Sequence, residues 1–170
     1  KTKGKLVNSE NHRYMQTAKG TPFFWLGNTS WLLPERLNRD EVAFFLNKEQ
    51  EAGFNVEQIQ VLNAIPTYNV FGQTANNAEF DFKDIDKKGV YGYWDHLDYI
   101  VNVAEQNGIY IAMDCIWGSQ INKMNIKQAQ AYGTFLGNRY KSHPNIIWMI
   151  GGDIRGDVHP EIWDALARAI

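Results

Sequence analysis

The residue with the clearest chemical potential is Asp153, the acid that ends the sequence Gly151-Gly152-Asp153. Five apolar residues, 146–150, precede it, and such a run is typical of a strand buried on both faces of a parallel sheet. Glycine allows a sharp turn and the close approach of a ligand. Because α/β proteins place their chemistry where parallel strands end, we interpret Asp153 as a catalytic carboxylic acid. The alternative is that Asp153 only caps the turn or the following segment.

The ends of the other predicted strands carry side chains that suit a polyol ligand. Amides and carboxylates hydrogen-bond hydroxyl groups, and indole rings stack on the apolar faces of sugars. The candidates are Asn28 and Trp31 after the first strand, Gln58, Gln60 and Asn63 in the second, Asp114 and Trp117 in the third, and Arg155 beyond Asp153. Any one of them could merely cover the edge of the sheet, but four strand ends that agree favour a sugar-binding site.

Motifs of other chemistries are absent from the sequence. No G-x-G-x-x-G follows a predicted strand, and Asp157 stands where a P-loop spacing from Gly151 would need lysine. There is no H-E-x-x-H, C-x-x-C or G-x-S-x-G. We therefore expect no metal and no cofactor.

The elements that would position these residues follow from hydrophobic periodicity and helix boundary signals. Asn38 with Glu41 is the signature of a capping box. A β-hairpin is predicted within residues 1–22. Beyond it, four strands alternate with helices, with strands at 23–26, 54–62, 109–113 and 145–150 and helices beginning after Asn38, at Trp94, near Ile126 and at Pro160.

The predicted links are asymmetric, since those from helix to strand are short and those from strand to helix are long. Long loops that follow strands are the layout of a (β/α)₈ barrel, which usually needs about 250 residues. We therefore predict an α/β protein in which residues 23–170 supply the first four βα units of a (β/α)₈ TIM barrel, with the remainder beyond residue 170. The alternative is an open, doubly wound sheet that is complete in itself.

Composition narrows the possible partners. A net charge of −2 gives no basic footprint for nucleic acid or an anionic membrane. No apolar run approaches the ~18 residues that span a bilayer, and no signal peptide is recognisable at the start of the chain.

The single cysteine, Cys115, excludes an internal disulfide and is predicted to be a buried hydrophobe. The aromatic content of 14% favours either a carbohydrate-binding protein or a core that is filled by large aromatic side chains.

Four segments resemble the apiosidase-like glycoside hydrolases, namely glycoside hydrolase family 140 and its endoglucanase-like relatives. They are Pro22-Phe23-Phe24-Trp25-Leu26-Gly27-Asn28-Thr29-Ser30-Trp31, Gly53-Phe54-Asn55-Val56, residues 94–101, and residues 145–153 ending in Gly151-Gly152-Asp153. The resemblance implies a (β/α)₈ barrel and retaining hydrolysis of glycosidic bonds, often in plant cell-wall polysaccharides. It also implies export to the periplasm or the cell exterior.

The resemblance assigns Asp153 the role of general acid/base and places a glutamate nucleophile beyond Ile170. This sequence departs from the family pattern at two positions. Relatives typically carry aspartate where this chain has Asn28, so we expect activity to survive while sugar specificity is open to change. Asp114 replaces a more apolar residue, and we expect it to bind a hydroxyl group or to perturb Asp153.

A retaining mechanism needs two carboxyl groups roughly 5–5.5 Å apart. In that hypothesis Trp31 and Trp117 form stacking walls, while Asn28, Asn63 and Arg155 bind hydroxyls or a uronic carboxylate. Two alternatives stay open. One is a non-catalytic carbohydrate-binding protein, or a lapsed enzyme, on the same barrel. The other is a metal-dependent hydrolase that uses Asp114, Asp153 and a histidine.

Overall fold

The computed structural model describes residues 1–77, 80, 82, 89 and 91–170. Within them the strands are β1 Leu6–Asn8, β2 Met15–Thr17, β3 Gly27–Thr29, β4 Val56–Leu62, β5 Tyr110–Ile116 and β6 Ile146–Met149. The helices are α1 Leu33–Arg36, α2 Arg39–Glu51, α3 Tyr93–Gln106, α4 Ile126–Tyr140 and α5 Pro160–Ala169, with a 3₁₀ helix at Gly118–Lys123.

The predicted N-terminal hairpin is present, with β1 and β2 paired antiparallel and Leu6 opposite Thr17. It joins the main sheet through Tyr110, at the start of β5. The Tyr110 hydroxyl donates to the Gly4 carbonyl oxygen at 2.6 Å, and its ring meets that of Phe23 edge-on at 5.1 Å. The N-terminal segment therefore covers the amino end of the sheet, opposite the edge where the predicted site lies.

The main sheet is parallel, in the order β3-β4-β5-β6. Short segments, 52–55, 107–109 and 141–145, lead from helices into strands, whereas 63–92, 117–125 and 150–159 lead from strands into helices. The α/β class with a parallel sheet is confirmed, and the longer loops all leave from the carboxyl edge of the sheet.

The predicted position of the first strand of the main sheet is wrong. The strand is Gly27–Thr29, not residues 23–26. Phe24 is 79% exposed, and the side chain of Asn55 holds this segment by accepting from the Leu26 N–H and donating to the Phe24 carbonyl oxygen. The apolar run therefore precedes the strand without belonging to it, and part of its backbone is bonded by the Asn55 side chain instead of by a strand ladder.

The predicted helix starts near Asn38 and Ile126 are confirmed by their caps. The Asn38 side chain accepts from the Glu41 N–H at 3.0 Å, while the Glu41 carboxylate accepts from the Asn38 N–H at 2.8 Å. Asn125 and Gln128 form the same reciprocal pair at the start of α4. Each capping box satisfies backbone donors that the first helical turn leaves open.

The two faces of the sheet have different surroundings, because successive side chains along a strand point to opposite sides. On the helix-covered face, Ile59, Met113 and Cys115 are fully buried in the main core with residues of α2, α3 and α4. On the other face, called here the inner face, Val56 and Ala112 form a smaller cluster near the amino edge.

Helices α4 and α5 pack closely at Gly133. A Cβ atom added there would lie 2.6 Å from the carbonyl oxygen of Leu166 and 2.8 Å from the Cβ of Ala169. Both distances are shorter than normal contacts, so the absence of a side chain at Gly133 sets how near the two helices come.

Gly133→Ala is expected to lower the free energy of unfolding by about 1–2 kcal/mol. Overpacking costs about 1–3 kcal/mol, which outweighs the gain of about 1 kcal/mol that alanine brings in helix propensity. Urea denaturation measures the change. Thr134→Ala, at an exposed position of the same helix, is the control and should change stability little. An alanine at position 133 that stabilised the protein would contradict the close approach.

Candidate active site

Asp153 follows a turn that only glycine permits. Gly151 has a φ of +109°, in the left-handed region, and a Cβ atom on Gly152 would lie 2.4 Å from Cε3 of Trp117. The indole ring of Trp117 thus lies directly against the Gly152 backbone. The two glycines allow the chain to turn sharply at the end of β6 and to contact the loop that follows β5.

The residue after Asp153 is held against the same loop. Ile154 packs so closely on Gly118 that an added Cβ there would lie 2.5 Å from its Cγ2 atom. The Ile154 N–H also donates to the Gly152 carbonyl oxygen at 2.6 Å. Both neighbours of Asp153 therefore contact the β5–α4 loop, while the side chain of Asp153 is exposed at the carboxyl edge of the sheet.

Trp31 and Trp117 lie together beside this turn. Their ring centroids are 5.9 Å apart with the planes at 54°, and both side chains are half-buried. The Trp31 carbonyl oxygen accepts from the Gln60 N–H, and the Trp117 N–H donates to the Leu62 carbonyl oxygen, each at 2.9 Å. Backbone bonds to β4 thus fix both indoles at the edge where Asp153 lies.

Asp114 lies on the inner face, in register with Gln60 of β4 and Met149 of β6. It is fully buried, and neither carboxylate oxygen makes a hydrogen bond of normal geometry to any described residue. Burial raises the pKa of Asp114 to about 8, a shift that the nearby Ile116 amide opposes only in part. At neutral pH this group is therefore a neutral acid that can donate a hydrogen bond.

Asn28 is not brought together with these residues. It pairs in register with Glu57, so its side chain is on the helix-covered face. Its amide donates to Glu49 of α2 at 3.1 Å, while the Ser30 hydroxyl donates to Glu57 at 2.6 Å. Burial raises the pKa of Glu57 to about 7; the Ser30 hydrogen bond opposes this shift and Glu49 adds to it. Sequence analysis missed this acidic pair, although a glutamate within an apolar strand was a signal.

The remaining two candidates have partners of their own. Asn63, just after β4, lies near Glu35 of α1, whose pKa is raised by burial, a shift that Arg36 and the Asn63 side chain oppose in part. Glu35 lies in α1, the short helix that follows β3, and sequence analysis did not select it. Arg155 forms a bidentate ion pair with Asp157, and both side chains are largely exposed. The described contacts of Arg155 are therefore with its own loop.

Two other kinds of site find no support in the described part of the chain. No group of three or more His, Cys, Asp or Glu side chains there could hold a metal ion. Among the same residues, no helix is both long enough and apolar enough to cross a bilayer. Within those residues, Asp114, Asp153 and a histidine, the set named by the metal-dependent alternative, do not form such a group.

The carboxyl edge of this parallel sheet thus carries an acid and two tryptophans, Asp153, Trp31 and Trp117. Residues 9–170 match the apiosidase-like catalytic domain, so the chain belongs to that family. The resemblance seen in the sequence is confirmed.

Two solved structures are similar over nearly the whole chain. A glycoside hydrolase family 5 protein from Bacteroides vulgatus ATCC 8482 is 59% identical with a TM-score of 0.94, over 99% of this chain and 37% of its own length. A second structure, a glycoside hydrolase, is 55% identical with a TM-score of 0.95, over 100% of this chain and 40% of its own. The chain thus spans about two-fifths of these structures.

More distant similarity concerns the fold alone. The endo-1,4-beta-mannanase from Rhizomucor miehei is 13% identical with a TM-score of 0.64, over 89% of this chain and 49% of that enzyme. No match was found among curated proteins.

Asp114→Asn is expected to stabilise the protein more at pH 8 than at pH 4. Well below pH 3.8, Asp114 is protonated in both the folded and the unfolded state. As pH rises toward 8, the unfolded chain loses this proton while the folded protein keeps it, so stability falls. The amide removes that loss, a difference of about 2–5 kcal/mol at roughly 1.4 kcal/mol per unit.

Denaturant unfolding at both pH values measures this difference. Glu10→Gln, which removes an exposed carboxyl group, is the control and should show no such pH dependence. Equal stability changes for Asp114→Asn at pH 4 and pH 8 would mean that Asp114 is not held as a neutral acid.

Proposed function

We propose that this chain is the first half of the (β/α)₈ barrel of a retaining glycoside hydrolase, with Asp153 as the general acid/base. The proposed substrate is an oligo- or polysaccharide of the plant cell-wall type. The nucleophile is a glutamate outside this chain, and the protein is exported to the periplasm or the cell exterior.

One observation carries the assignment of Asp153. Its two neighbours pack on Trp117 and Gly118, and its side chain is exposed beside the pair of indole rings. A general acid must reach the oxygen of the leaving sugar from a fixed position, and aromatic faces hold sugar rings in place. The Gly-Gly turn supplies the fixed backbone, and the exposed carboxyl group supplies the proton donor.

The proposed reaction has two steps. Asp153 first donates its proton to the glycosidic oxygen while the nucleophile attacks the anomeric carbon, which forms a covalent glycosyl-enzyme. Asp153, now a carboxylate, then removes a proton from water, and the water attacks the same carbon with net retention. The two carboxyl groups of such enzymes lie roughly 5–5.5 Å apart.

The open edges of the sheet are consistent with a barrel. Within the described residues, β3 pairs only with β4, and β6 pairs only with β5. All four side chains of β6 are only partly buried, unlike the fully buried β5. Four further strands in the rest of the protein would pair with both edges and complete the cover of the inner face.

The roles proposed for the other candidates follow their positions. Trp31 and Trp117 stack on sugar rings and Asn63 binds a hydroxyl group, whereas Asp114 is fully buried and has no surface through which to contact a sugar. Asn28 and Arg155 are predicted substrate ligands whose described partners are Glu49 and Asp157 instead. We therefore give them no part in the proposed mechanism.

Asp153→Asn, made in the full-length protein, is expected to lower turnover of a natural polysaccharide by about 10²–10⁴-fold, the usual contribution of a positioned acid or base. The loss should be much smaller for the first step on an aryl glycoside with a good leaving group, because that bond needs no proton. Pre-steady-state kinetics on both substrates measures the contrast. The melting temperature should not change, since this side chain is exposed.

Asp157→Asn is the matched control, since it removes an exposed acid from the same loop and should leave turnover unchanged. Wild-type turnover by Asp153→Asn on the polysaccharide would reject the role of Asp153. A wild-type protein that bound oligosaccharides but hydrolysed none would instead favour the non-catalytic carbohydrate-binding alternative.

A further inference from the structure

A second cavity lies on the same edge of the sheet as Asp153, and the proposed mechanism does not use it. Its volume is about 460 Å³, and it opens between the loop after β4 and the 3₁₀ helix after β5. Its lining includes Pro66, Tyr68, Thr74, Asn76 and Lys123. Cavities of about 300–1,000 Å³ are the usual size of small-ligand sites.

The loop that forms one wall of this cavity is fixed in place by internal hydrogen bonds. The buried Asn69 side chain accepts from the backbone N–H groups of Phe71 and Gln73, at 3.0 and 2.9 Å. The Ala75 N–H donates to the Thr67 carbonyl oxygen at 2.8 Å, and the indole of Trp94 donates to Ala75 at 2.9 Å. The wall is therefore preformed, and a ligand would not need to order it.

One of the residues that line the cavity, Asn76, has a side-chain oxygen without a hydrogen-bond partner among the described residues. Asn76 is 1% exposed, and its amide nitrogen donates to the Asn77 carbonyl oxygen at 3.0 Å. Its Oδ1 atom is buried and accepts no hydrogen bond from any residue that the structure describes. A buried acceptor without a donor is costly, so a ligand hydroxyl that donated to it would remove that cost.

Two exposed side chains complete the lining. Tyr68 is 50% exposed, although aromatic rings are generally covered in folded proteins. Lys123, in the last turn of the 3₁₀ helix, is also exposed, and within the described ranges it forms no ion pair. An aromatic face, an amide acceptor and an ammonium donor together suit a sugar ring, which offers an apolar face and a rim of hydroxyl groups.

We infer that this cavity is a distal saccharide subsite, which binds one sugar unit of the substrate away from the bond that is cleaved. The ring stacks on Tyr68, one hydroxyl donates to Oδ1 of Asn76, and the Lys123 ammonium donates to an oxygen of the same sugar. The inference rests on the proposed function for the identity of the ligand, but its test does not require hydrolysis.

The connection to the catalytic region runs through a short segment. Trp117, one wall of the candidate active site, immediately precedes the 3₁₀ helix that ends at Lys123. Asn63, at the end of β4, likewise begins the loop that carries Tyr68. The two loops that hold the cleavage region thus also form the cavity, so a polysaccharide that lies along the edge of the sheet can occupy both.

The test uses the full-length protein carrying Asp153→Asn, so that ligands stay intact, and isothermal titration with cello-, manno- and pectic oligosaccharides of increasing length. Tyr68→Ala is expected to weaken the binding of the longest ligand by roughly tenfold, the effect of about 1.4 kcal/mol. It should leave the shortest bound ligand unaffected. Tyr68→Phe, which keeps the ring, should bind as tightly as the parent, and Lys123→Gln should weaken binding of the longest ligand about threefold or more.

Two matched controls separate the cavity from general surface effects. Tyr14→Ala removes a tyrosine of similar exposure, 47%, from the N-terminal hairpin, and Lys127→Gln removes an exposed lysine at the start of α4. Neither should change affinity. Melting temperatures verify that all variants are folded. We expect the Tyr68 and Lys123 variants to fold, because both side chains are exposed.

The outcomes for the subsite and for the enzyme are distinct. If Tyr68→Ala binds long oligosaccharides as tightly as Tyr14→Ala does, the subsite is rejected whatever the activity of the protein. If the wild-type protein hydrolyses no saccharide but Tyr68→Ala still loses affinity for long ligands, the proposed catalysis fails and the subsite stands.

Discussion

The candidate site depends on the parallel register of β3, β4, β5 and β6. In this register Thr29 lies opposite Gln58, and Gln60, Asp114 and Met149 form a row across three strands. Because all four strands run the same way, their following loops leave from one edge. This arrangement brings Asp153, Trp31, Trp117 and the loops that line the second cavity to one surface, although they are far apart in the sequence.

The same register sorts carboxyl groups into different environments. Asp153 lies beyond the end of β6 and is exposed, whereas Asp114 lies within β5 and is fully buried. Burial raises the pKa of Asp114 to about 8, so this carboxyl group is neutral at neutral pH. Glu57 lies on the helix-covered face, where it accepts from Ser30 and lies beside Glu49 of α2, so the sheet separates it from Asp114.

Much of this could be predicted from the sequence, because hydrophobic periodicity and caps such as Asn38 act over a few residues. The assignment of Asn28 shows the limit. An apolar run at 23–26 suggested a strand that ends at residue 26, but pairing begins at Gly27, which directs Asn28 toward α2. The contact of Trp117 with Gly152 was also beyond the sequence, since it depends on how two loops meet in space.

Chemical rescue tests the central claim, that Asp153 is the acid/base of a retaining hydrolase, most directly. In full-length Asp153→Ala, an activated aryl glycoside should form the glycosyl-enzyme, which then accumulates because no base activates water. Added azide needs no such base, so it should restore turnover and yield a glycosyl azide with the anomeric configuration of the substrate. Turnover that azide does not change, or an azide product of inverted configuration, would contradict the account.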